Sequence, residues 1–422
     1  MNMLKKNKKV YVSKKNNRND LWRYRIKKFF SFQEGSDKIL TIAVFILVCF
    51  GTLMIVSTNV GRAFSYSSSI VLETLMKQVL FIVLSFICMR FFYTFFKFKT
   101  ISSRFVQCIL MVAMFVFVGL TLCFSAAGGS HAWIRLGSFS IQPAEFVKPF
   151  LIVLVAVSVY NALYNAKLRK DFNTVYKYPI VATVIFCIIV FLQNDIGTGA
   201  IILTVSLVCM TIPSFDEVAQ KQSLIRNLIL IFVVSCVLLF GVFHAENLFF
   251  SGSGFDHIAT RIQNAKDPYQ DVYGEGYQPA NSLYGIASSN ITGKGIGKST
   301  RKYGYLTQAD NDYILAVTIE ETGIFGLGLI VICYCIIEYR LFYYAFKTRN
   351  IPYKIILTGT ATYFFMHFFL NVGGVACLIP LTGIPLLFVS SGGSSLMAAF
   401  ISIGICQKCI SHIQSEELRG KS

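Results

Sequence analysis

The residues best suited to chemistry are carboxylates placed where polar sequence meets apolar sequence. Asp312 is the most suggestive of them, because it stands where a long polar stretch enters an apolar one. A carboxylate in that position, beside loop tyrosines, can act as a general base. The competing interpretation is that Asn311 or Asp312 caps the N-terminus of the helix that follows.

Further charged residues lie inside or beside apolar stretches. Glu145 and Lys148 are three residues apart, so on a helix they share a face and can pair. Asp195 interrupts two short apolar stretches, and Glu320 and Glu321 lie about two turns into another. Charges at membrane depth are costly, so they face a cavity or a partner. These residues therefore mark either a functional cavity or structural ion pairs that hold a helix bundle together.

A glycine-rich segment at 292–299 nearly matches the sequence pattern of a phosphate-binding P-loop. The pattern requires glycine at the position of Thr292, and no strand precedes the segment, so a nucleotide site is not predicted. Closely spaced glycines with Lys294, Lys298 and Arg301 can still seat a diphosphate through backbone N–H groups and charge. The alternative is a plain flexible turn.

Composition and patterning predict the elements that carry these residues. Hydrophobic residues make up 55 % of the 422-residue chain and charged residues 14 %, against about 25 % charged in a typical soluble domain. The apolar residues come in blocks of about 20, the length that a helix needs to cross a hydrocarbon core. We therefore predict an all-α polytopic membrane protein with about ten transmembrane helices. The predicted spans lie near 39–57, 75–95, 104–124, 145–163, 179–193, 198–213, 224–245, 313–336, 354–378 and 384–408.

The basic residues predict the orientation of these helices, because they follow every second span. They are Lys97, Lys99, Arg104, Lys167, Arg169, Lys170, Lys177, Lys221, Arg226, Arg340, Lys347, Arg349 and Lys354. The positive-inside rule then places both termini in the cytoplasm and segments 125–144 and 247–312 outside. Residues 247–312 are thus predicted to be a long extracytoplasmic loop between helices 7 and 8, and their tyrosines argue against disorder.

The ends of the chain are predicted to form separate regions. Residues 1–38 carry twelve Lys or Arg against three acidic residues, which is typical of a disordered cytoplasmic tail. The tail either enforces topology or adheres to anionic membrane lipids. No folded module with interleaved aromatics accompanies the charge, so nucleic acid is not an expected partner. The transmembrane domain is predicted over 39–411 and a cytoplasmic C-terminal tail over 412–422.

Several short blocks follow one another along the chain. They are Gly51 to Ser57; Trp133-Ile134 with Gln142-Pro143-Ala144-Glu145 and Lys148; Gln193 to Thr198; Arg261-Ile262-Gln263 with Asp267-Pro268 and Gly276-Tyr277-Gln278; Asp312-Tyr313 with Glu320 to Gly323; and Pro380 to Pro385 with Ser390 to Ser395. Each block is weak alone. In this order, and with this hydropathy, they resemble the SEDS family (shape, elongation, division and sporulation proteins) from about Asp37 to the end of the chain.

The resemblance implies a peptidoglycan glycosyltransferase that polymerises lipid II, an undecaprenyl-diphosphate-linked disaccharide peptide, outside the bacterial cytoplasmic membrane. It also implies a partner transpeptidase of the class B penicillin-binding type. The family's essential carboxylate, in its outside loop next to span eight, aligns with Asp312. This residue would take the proton from the acceptor's 4-hydroxyl, which attacks the donor's anomeric carbon with inversion.

A glycosidase normally needs a second carboxyl group to protonate its leaving group. One base can suffice in this reaction, because the diphosphate is already a good leaving group. Cations would stabilise the diphosphate, and a divalent ion, Mg²⁺ or Mn²⁺, is a candidate beside the basic side chains. The substrate-binding candidates are Trp133, Arg261, Gln278, Lys294, Lys298, Ser394 and Ser395. Trp133 would wall the sugar site, or alternatively anchor the chain at the membrane interface.

The chain departs from the family pattern at His131, Asn194, Leu387 and Ser391. These departures leave the choice among division, elongation and sporulation open, and they keep two alternative functions in view. The first is a lipid II flippase, indicated by the intramembrane charges and the interrupted spans five and six. The second is a non-catalytic scaffold for the transpeptidase.

Overall fold

The structure, a computed structural model, describes residues 35–65, 69–125, 130–137, 139–236 and 262–420. The α-helices are α1 (Lys38–Ser65), α2 (Ser69–Phe95), α3 (Phe98–Ile101), α4 (Arg104–Gly119), α5 (Ala144–Tyr164), α6 (Phe172–Leu192), α7 (Ile196–Thr211), α8 (Asp216–Cys236), α9 (Tyr277–Ala287), α10 (Ile314–Lys347), α11 (Ile351–Val375) and α12 (Gly393–Gly420). Short 3₁₀ turns follow α4 and α5, at Leu120–Cys123 and Ala166–Leu168. The strands β1 (Ile134–Leu136) and β2 (Phe139–Ile141) pair as an antiparallel hairpin.

Nine helices in the described part of the chain are long and apolar enough to cross a membrane. The helix α7 is also apolar but has 16 residues, about 24 Å, against a hydrocarbon core of about 30 Å. With α7 these helices correspond to the ten predicted spans. The predicted all-α polytopic membrane fold is therefore confirmed.

Several helices differ in extent from the predicted spans. The helix α8 begins at Asp216 rather than near 224, and α10 continues to Lys347 rather than ending near 336. The helix α6 begins at Phe172 rather than near 179, and it keeps Pro179 inside. The helix α12 begins at Gly393 rather than near 384, because Pro385 lacks a backbone N–H and disfavours helical geometry in the residue before it. Residues 384–392 are instead a non-helical stretch, here called the buried segment, that packs inside the bundle.

The helices differ in how much of their apolar surface the protein covers. In α5 and α12, 67 % and 72 % of the apolar stretch is buried, whereas the share is 11 % in α2 and 12 % in α8. The first two helices are therefore central, whereas α2 and α8 leave most of their apolar surface uncovered by the described residues. A Cβ at Gly404 of α12 would lie 2.3 Å from the carbonyl oxygen of Met89 in α2, so glycine allows these two backbones to approach closely.

The start of α1 lies beside the ends of α10 and α12. The backbone N–H of Asp37 donates to Oε1 of Gln407 at 2.7 Å. The guanidinium of Arg340 donates from Nε to Oδ2 of Asp37 at 2.6 Å. The first and last described helices therefore begin and end on the same side of the bundle.

The hairpin and the short link between α6 and α7 lie at the opposite end. Gln193 connects them, because its carbonyl oxygen accepts from the N–H of His131 at 3.0 Å. Its Nε2 donates to Oγ1 of Thr121 at 2.6 Å. The chain then turns at Asn194, whose φ of 59° is left-handed, an arrangement that asparagine tolerates better than most residues. Asp195 follows and caps α7.

Candidate active site

Asp312 lies in the turn that leads from the long loop into α10. Its side chain does not cap the helix, because Tyr313 is the N-cap residue and no side-chain cap hydrogen bond forms. Oδ1 of Asp312 is buried and has no hydrogen-bond partner among the described residues. The competing interpretation of Asp312 as a helix cap therefore has no support in the geometry.

Two further carboxylates lie near Asp312, and both accept hydrogen bonds. Oδ2 of Asp195 accepts from Nε2 of Gln142 at 2.8 Å, and its Oδ1 accepts from a backbone N–H in the first turn of α7. Oδ2 of Asp310 accepts from the hydroxyl of Ser391 at 3.3 Å. Of these three carboxylates, only Asp312 has a buried oxygen without a partner in the described structure.

The electrostatic surroundings of Asp312 suit a proton acceptor. Burial, followed by the negative charges of Asp310 and Asp195, raises the pKa of the Asp312 carboxyl group to about 6. A general base works best when its pKa lies near the working pH, because it is then ionised and still holds a proton well. The environment therefore makes Asp312 a stronger base than an ordinary surface aspartate.

Four helices begin around these carboxylates. The N–H of Gln142, just before α5, donates to Oγ of Ser394 in the first turn of α12 at 2.9 Å. Gln142 also reaches Asp195 at the start of α7, and Ser391 before α12 reaches Asp310 before α10. Helix N-termini carry partial positive charge and unpaired N–H groups. The helix N-termini at this end of the bundle can therefore contribute N–H groups to an anionic ligand beside the three carboxylates.

Residues 291–302, here called the glycine loop, bind a carboxylate of α10. The N–H groups of Thr300 and Arg301 donate to Glu320 at 3.1 and 3.3 Å, and the Thr300 hydroxyl donates at 2.8 Å. Nζ of Lys294 lies 2.6 Å from Oε1 of Glu320. The N–H groups and the lysine that resemble a phosphate cradle thus surround a carboxylate of the protein itself.

Glu321 is held by the same loop and by α1. Its Oε1 lies 2.9 Å from Nζ of Lys302, and both side chains are fully buried. Its Oε2 accepts from the hydroxyl of Ser57 at 2.6 Å and from the N–H of Gly297 at 2.9 Å. This buried ion pair therefore joins α1, α10 and the glycine loop.

The helix α10 is broken at Gly323, and the glycine loop fills the break. Gly323 has φ 62° and ψ −149°, a conformation that only glycine adopts readily. The N–H of Lys294 donates to the carbonyl of Glu320 at 2.9 Å, and the N–H of Ile324 donates to the carbonyl of Ile291 at 3.0 Å. Non-helical backbone inside a membrane protein persists where protein groups satisfy it in this way.

The remaining predicted cations have different surroundings. The guanidinium carbon of Arg301 lies 5.3 Å from the ring centre of Tyr284 and 5.1 Å from that of Tyr305. Lys298 is exposed. Arg261 lies outside the described residues. The structure therefore leaves Lys298 as a predicted cation whose side chain is open to solvent.

The uncharged substrate-binding candidates are distributed over three elements. Ser394 accepts from the N–H of Gln142 and so joins the carboxylate network directly. The hydroxyl of Ser395 donates to the carbonyl of Gly392 at 3.0 Å. Trp133, just before β1, and Gln278, in the first turn of α9, are both half-buried.

Glu145, Lys148 and His367 form a buried polar cluster between α5 and α11. Nζ of Lys148 lies 2.6 Å from Oε1 of Glu145 and 2.8 Å from Nε2 of His367. Because Nε2 faces an ammonium donor, Nδ1 carries the ring proton and donates to the carbonyl of Pro385 at 3.0 Å. Glu145 and Lys148 therefore have partners inside the protein, and His367 connects this cluster to Pro385 of the buried segment.

Gln142, Asp310, His367 and Asn371 belong to the site, although sequence reasoning did not single them out as site residues. Nδ2 of Asn371 donates to the carbonyls of Asp312 and Ile384. A polar residue within an apolar span is itself a signal, because it must find a partner there. His367 and Asn371 both carry that signal, four residues apart on α11.

The chain matches the FtsW/RodA/SpoVE family model, described as cell cycle protein, over residues 37–415. A probable peptidoglycan glycosyltransferase FtsW from Bacillus subtilis (strain 168) is 29 % identical over 392 residues, which cover 91 % of this chain and 93 % of the relative. Stage V sporulation protein E from the same organism is 27 % identical over 382 residues, covering 87 % of this chain and 95 % of the relative.

Solved structures share the fold. A chain from a peptidoglycan synthase complex that coordinates polymerization and crosslinking matches with a TM-score of 0.65 at 21 % identity, over 90 % of this chain and 99 % of that chain. A mutant of the rod shape determining protein RodA from Thermus thermophilus matches with a TM-score of 0.58 at 19 % identity, over 90 % of this chain and 98 % of that chain. At these identities the likeness concerns the fold.

Proposed function

The chain belongs to the FtsW/RodA/SpoVE family of cell cycle proteins, and we propose that it is a peptidoglycan glycosyltransferase in which Asp312 is the general base. The observation that carries the assignment of the base is the buried, unpartnered Oδ1 of Asp312. The pKa of about 6 of this carboxyl group supports the same role. The curated relative named as a probable peptidoglycan glycosyltransferase, matched along nine-tenths of both chains, supports the activity.

The proposed reaction joins two lipid II molecules. Asp312 accepts the proton of the acceptor sugar's 4-hydroxyl as that oxygen attacks the donor's anomeric carbon. The bond from this carbon to the diphosphate oxygen breaks with inversion, and the diphosphate carries away the bonding electrons. The leaving group needs no proton, so a second carboxylic acid of the glycosidase kind is not required. The hydrogen bonds at Asp195 and Asp310 support this assignment of a single base.

The diphosphate would lie against the helix N-termini beside Asp312. Lys298, which is exposed, and Arg261 are the cations proposed to meet it. Lys294 would first have to leave Glu320. Trp133, Gln278, Ser394 and Ser395 stay in the proposal as contacts to the sugar and peptide parts of lipid II.

A divalent cation, Mg²⁺ or Mn²⁺, also stays a proposal. No cluster of three or more His, Cys, Asp or Glu that could hold an ion occurs in the described ranges. The residues present would fit an ion held mainly by diphosphate oxygens, with one carboxylate such as Asp195 beside it, which is how Mg²⁺ usually binds. When bound, such an ion would neutralise charge on the leaving group.

The protein is a multi-pass membrane protein. We place both termini in the cytoplasm and Asp312 at the outer face, because the basic residues lie at the opposite end of the helices from Asp312. A class B penicillin-binding transpeptidase is the proposed partner. The likeness to a chain of a peptidoglycan synthase complex supports a partner of this kind.

A polymerisation assay with purified protein, its transpeptidase and labelled lipid II tests the function. Asp312→Asn should lower the rate of glycan synthesis by at least about 100-fold, the usual contribution of a general base. Glu275→Gln, which changes an exposed carboxylate of the same loop, should polymerise as fast as wild type. An Asp312→Asn protein that polymerises like wild type would refute the assigned base.

The same preparation separates the alternative functions. Transport of labelled lipid II in proteoliposomes, without glycan synthesis, would point to a flippase. Absence of both activities, with the transpeptidase still recruited, would point to a scaffold. Glycan synthesis that depends on Asp312 excludes the scaffold as the whole function.

A further inference from the structure

The helix α11 presents two polar side chains to the buried segment. His367 and Asn371 are four residues apart, so they lie on one face of the helix. Nδ1 of His367 donates to the carbonyl of Pro385 at 3.0 Å, and Nδ2 of Asn371 donates to the carbonyl of Ile384 at 2.9 Å. Both side chains are almost completely buried. The start of the buried segment is therefore fixed to α11 by side chains.

Asn371 makes a second hydrogen bond, and this one reaches Asp312. Nδ2 donates to the backbone carbonyl of Asp312 at 3.0 Å. An amide NH₂ group has two hydrogens, so it can serve the Ile384 and Asp312 carbonyls together. The opposite orientation of the amide would set its oxygen against two carbonyl oxygens, so the two acceptors determine which way the amide points.

The residues around Asp312 are held at three consecutive carbonyls. The N–H of Ser391 donates to the carbonyl of Asp310 at 2.9 Å. The hydroxyl of Ser390 donates to the carbonyl of Asn311 at 2.9 Å. Asn371 holds the third carbonyl, that of Asp312 itself. The turn that carries the proposed base is thus attached at residues 310, 311 and 312. The first two attachments come from the buried segment, and the third comes from α11.

We propose that Asn371 is a positioning residue for Asp312, which holds the backbone of the base so that its Oδ1 stays buried and without a partner among the described residues. The inference rests on the proposed function. Asn371 does not touch the reacting atoms in this proposal. It joins α11, the buried segment and the turn before α10 through a single amide.

The physical consequence concerns both rate and basicity. Without the amide, the turn formed by residues 310–312 loses one of its three attachments, the one at Asp312 itself, and the carboxylate can turn further toward water. The groups facing it are the carboxylates of Asp310 and Asp195 and the adjacent Tyr313 phenol. Because burial is the main cause of the raised pKa, a hydrated carboxylate would be a weaker base in a less productive position.

The test is Asn371→Leu, which keeps approximate size and removes both hydrogen bonds. With the transpeptidase present, kcat for lipid II polymerisation should fall by about 10–100-fold, the scale that misplacing a reacting group by about 1 Å produces. KM should change little, because no substrate contact is removed. The acid limb of the kcat–pH profile should move to lower pH. A purely structural role would not move that limb.

Ser282→Ala is the matched control. The hydroxyl of Ser282, also buried, donates to the carbonyl of Val375 at 2.9 Å and so links the long loop to α11 without touching Asp312. This variant should keep the wild-type kcat and acid limb. An Asn371→Leu enzyme with wild-type kcat and acid limb would overturn the inference.

A second variant covers the case in which Asn371→Leu does not fold. Asn371→Ser keeps one hydrogen-bond donor. Its kcat should therefore fall less, and its acid limb should move less, than after complete loss of the amide, but both changes should be measurable. Wild-type behaviour of Asn371→Ser would then overturn the inference. Asp312→Asn distinguishes the two proposals: if it is inactive while the Asn371 variants behave as wild type, only the positioning role fails.

Discussion

Three acidic residues at the same end of the bundle differ in what surrounds them. Asp195 and Asp310 accept hydrogen bonds from Gln142 and Ser391, whereas Oδ1 of Asp312 is buried without a donor in the described structure. Hydrogen bonds stabilise the ionised form of a carboxylate, and burial without them destabilises it. This difference is the reason for proposing Asp312, rather than Asp195 or Asp310, as the proton acceptor.

At the residue scale, the rate of polymerisation should depend on the ionisation of Asp312. A base must be deprotonated to act, so kcat/KM, which reports the free enzyme, should be high above pH 6 and should fall about tenfold per pH unit well below the pKa of about 6. Asp310→Asn removes a negative charge that raises this pKa, so the fall should begin at a lower pH. The measurement is the polymerisation rate across pH for both proteins, and an acid limb that Asp310→Asn leaves unmoved would contradict the electrostatic coupling.

At the scale of elements, the break in α10 and the glycine loop depend on each other. Backbone N–H groups of the glycine loop donate to the carbonyls and carboxylates of Glu320 and Glu321. The helix α10 leaves the helical conformation at Gly323, where the glycine loop packs into the break. Buried charges that lose their partners are destabilising by several kcal/mol, so this assembly is sensitive to its geometry. The loop that ends at Asp312 is thereby anchored about two turns inside the bundle.

Gly323→Ala tests this assembly. A Cβ at position 323 would lie 2.2 Å from the carbonyl oxygen of Ile291, and the backbone conformation there is strained for any residue with a side chain. The free energy of unfolding should fall by about 2–4 kcal/mol. Thermal unfolding in detergent, followed by tryptophan fluorescence or by retention of a monodisperse species, measures the change.

Gly328→Ala is the control within the same helix. A Cβ at Gly328 meets nothing within 4 Å, and alanine favours helix over glycine by up to about 1 kcal/mol. This variant should be as stable as wild type or slightly more so. Equal stability of the Gly323 and Gly328 variants would show that the glycine loop does not depend on the break.

At the scale of the whole molecule, the ends of the described chain and the proposed site lie on opposite sides of the bundle. Asp37 contacts Gln407 at one end. Gln142, Asp195 and Asp312 lie at the other, where α5, α7, α10 and α12 begin. A single orientation in the membrane therefore decides whether the site meets substrate outside the cell.

Fusions of alkaline phosphatase test that orientation. The reporter needs disulfides, which form outside the cytoplasm. A fusion after Lys298 should be active and a fusion after Lys170 inactive, because basic residues cluster at the latter. Green fluorescent protein at the same two positions should give the reciprocal result. Activity at Lys170 together with silence at Lys298 would invert the predicted topology.

The apolar blocks were sufficient to predict the membrane fold, with nine helices in the described residues long enough to cross a membrane and the shorter α7 at the remaining predicted span. Hydropathy is a local, additive property, so a stretch such as Lys38–Ser65 can be recognised as a membrane-spanning helix without reference to the rest of the chain. The boundaries were less certain where proline interrupts the pattern. Pro179 stays within α6, whereas the stretch containing Pro385 leaves the helix and becomes the buried segment.

Which charged groups pair with which was decided only by the tertiary structure. The glycine loop encloses Glu320 and Glu321, and Asn371 reaches an Asp312 that is 59 residues away in the chain. Hydrogen bonding depends on contacts between distant residues, and no local pattern reports them. The sequence by itself therefore determined that Asp312 stands at the entrance of a membrane helix. Its buried Oδ1 and its hydrogen bond to Asn371 arise from the packing of α7, α11 and the buried segment around it.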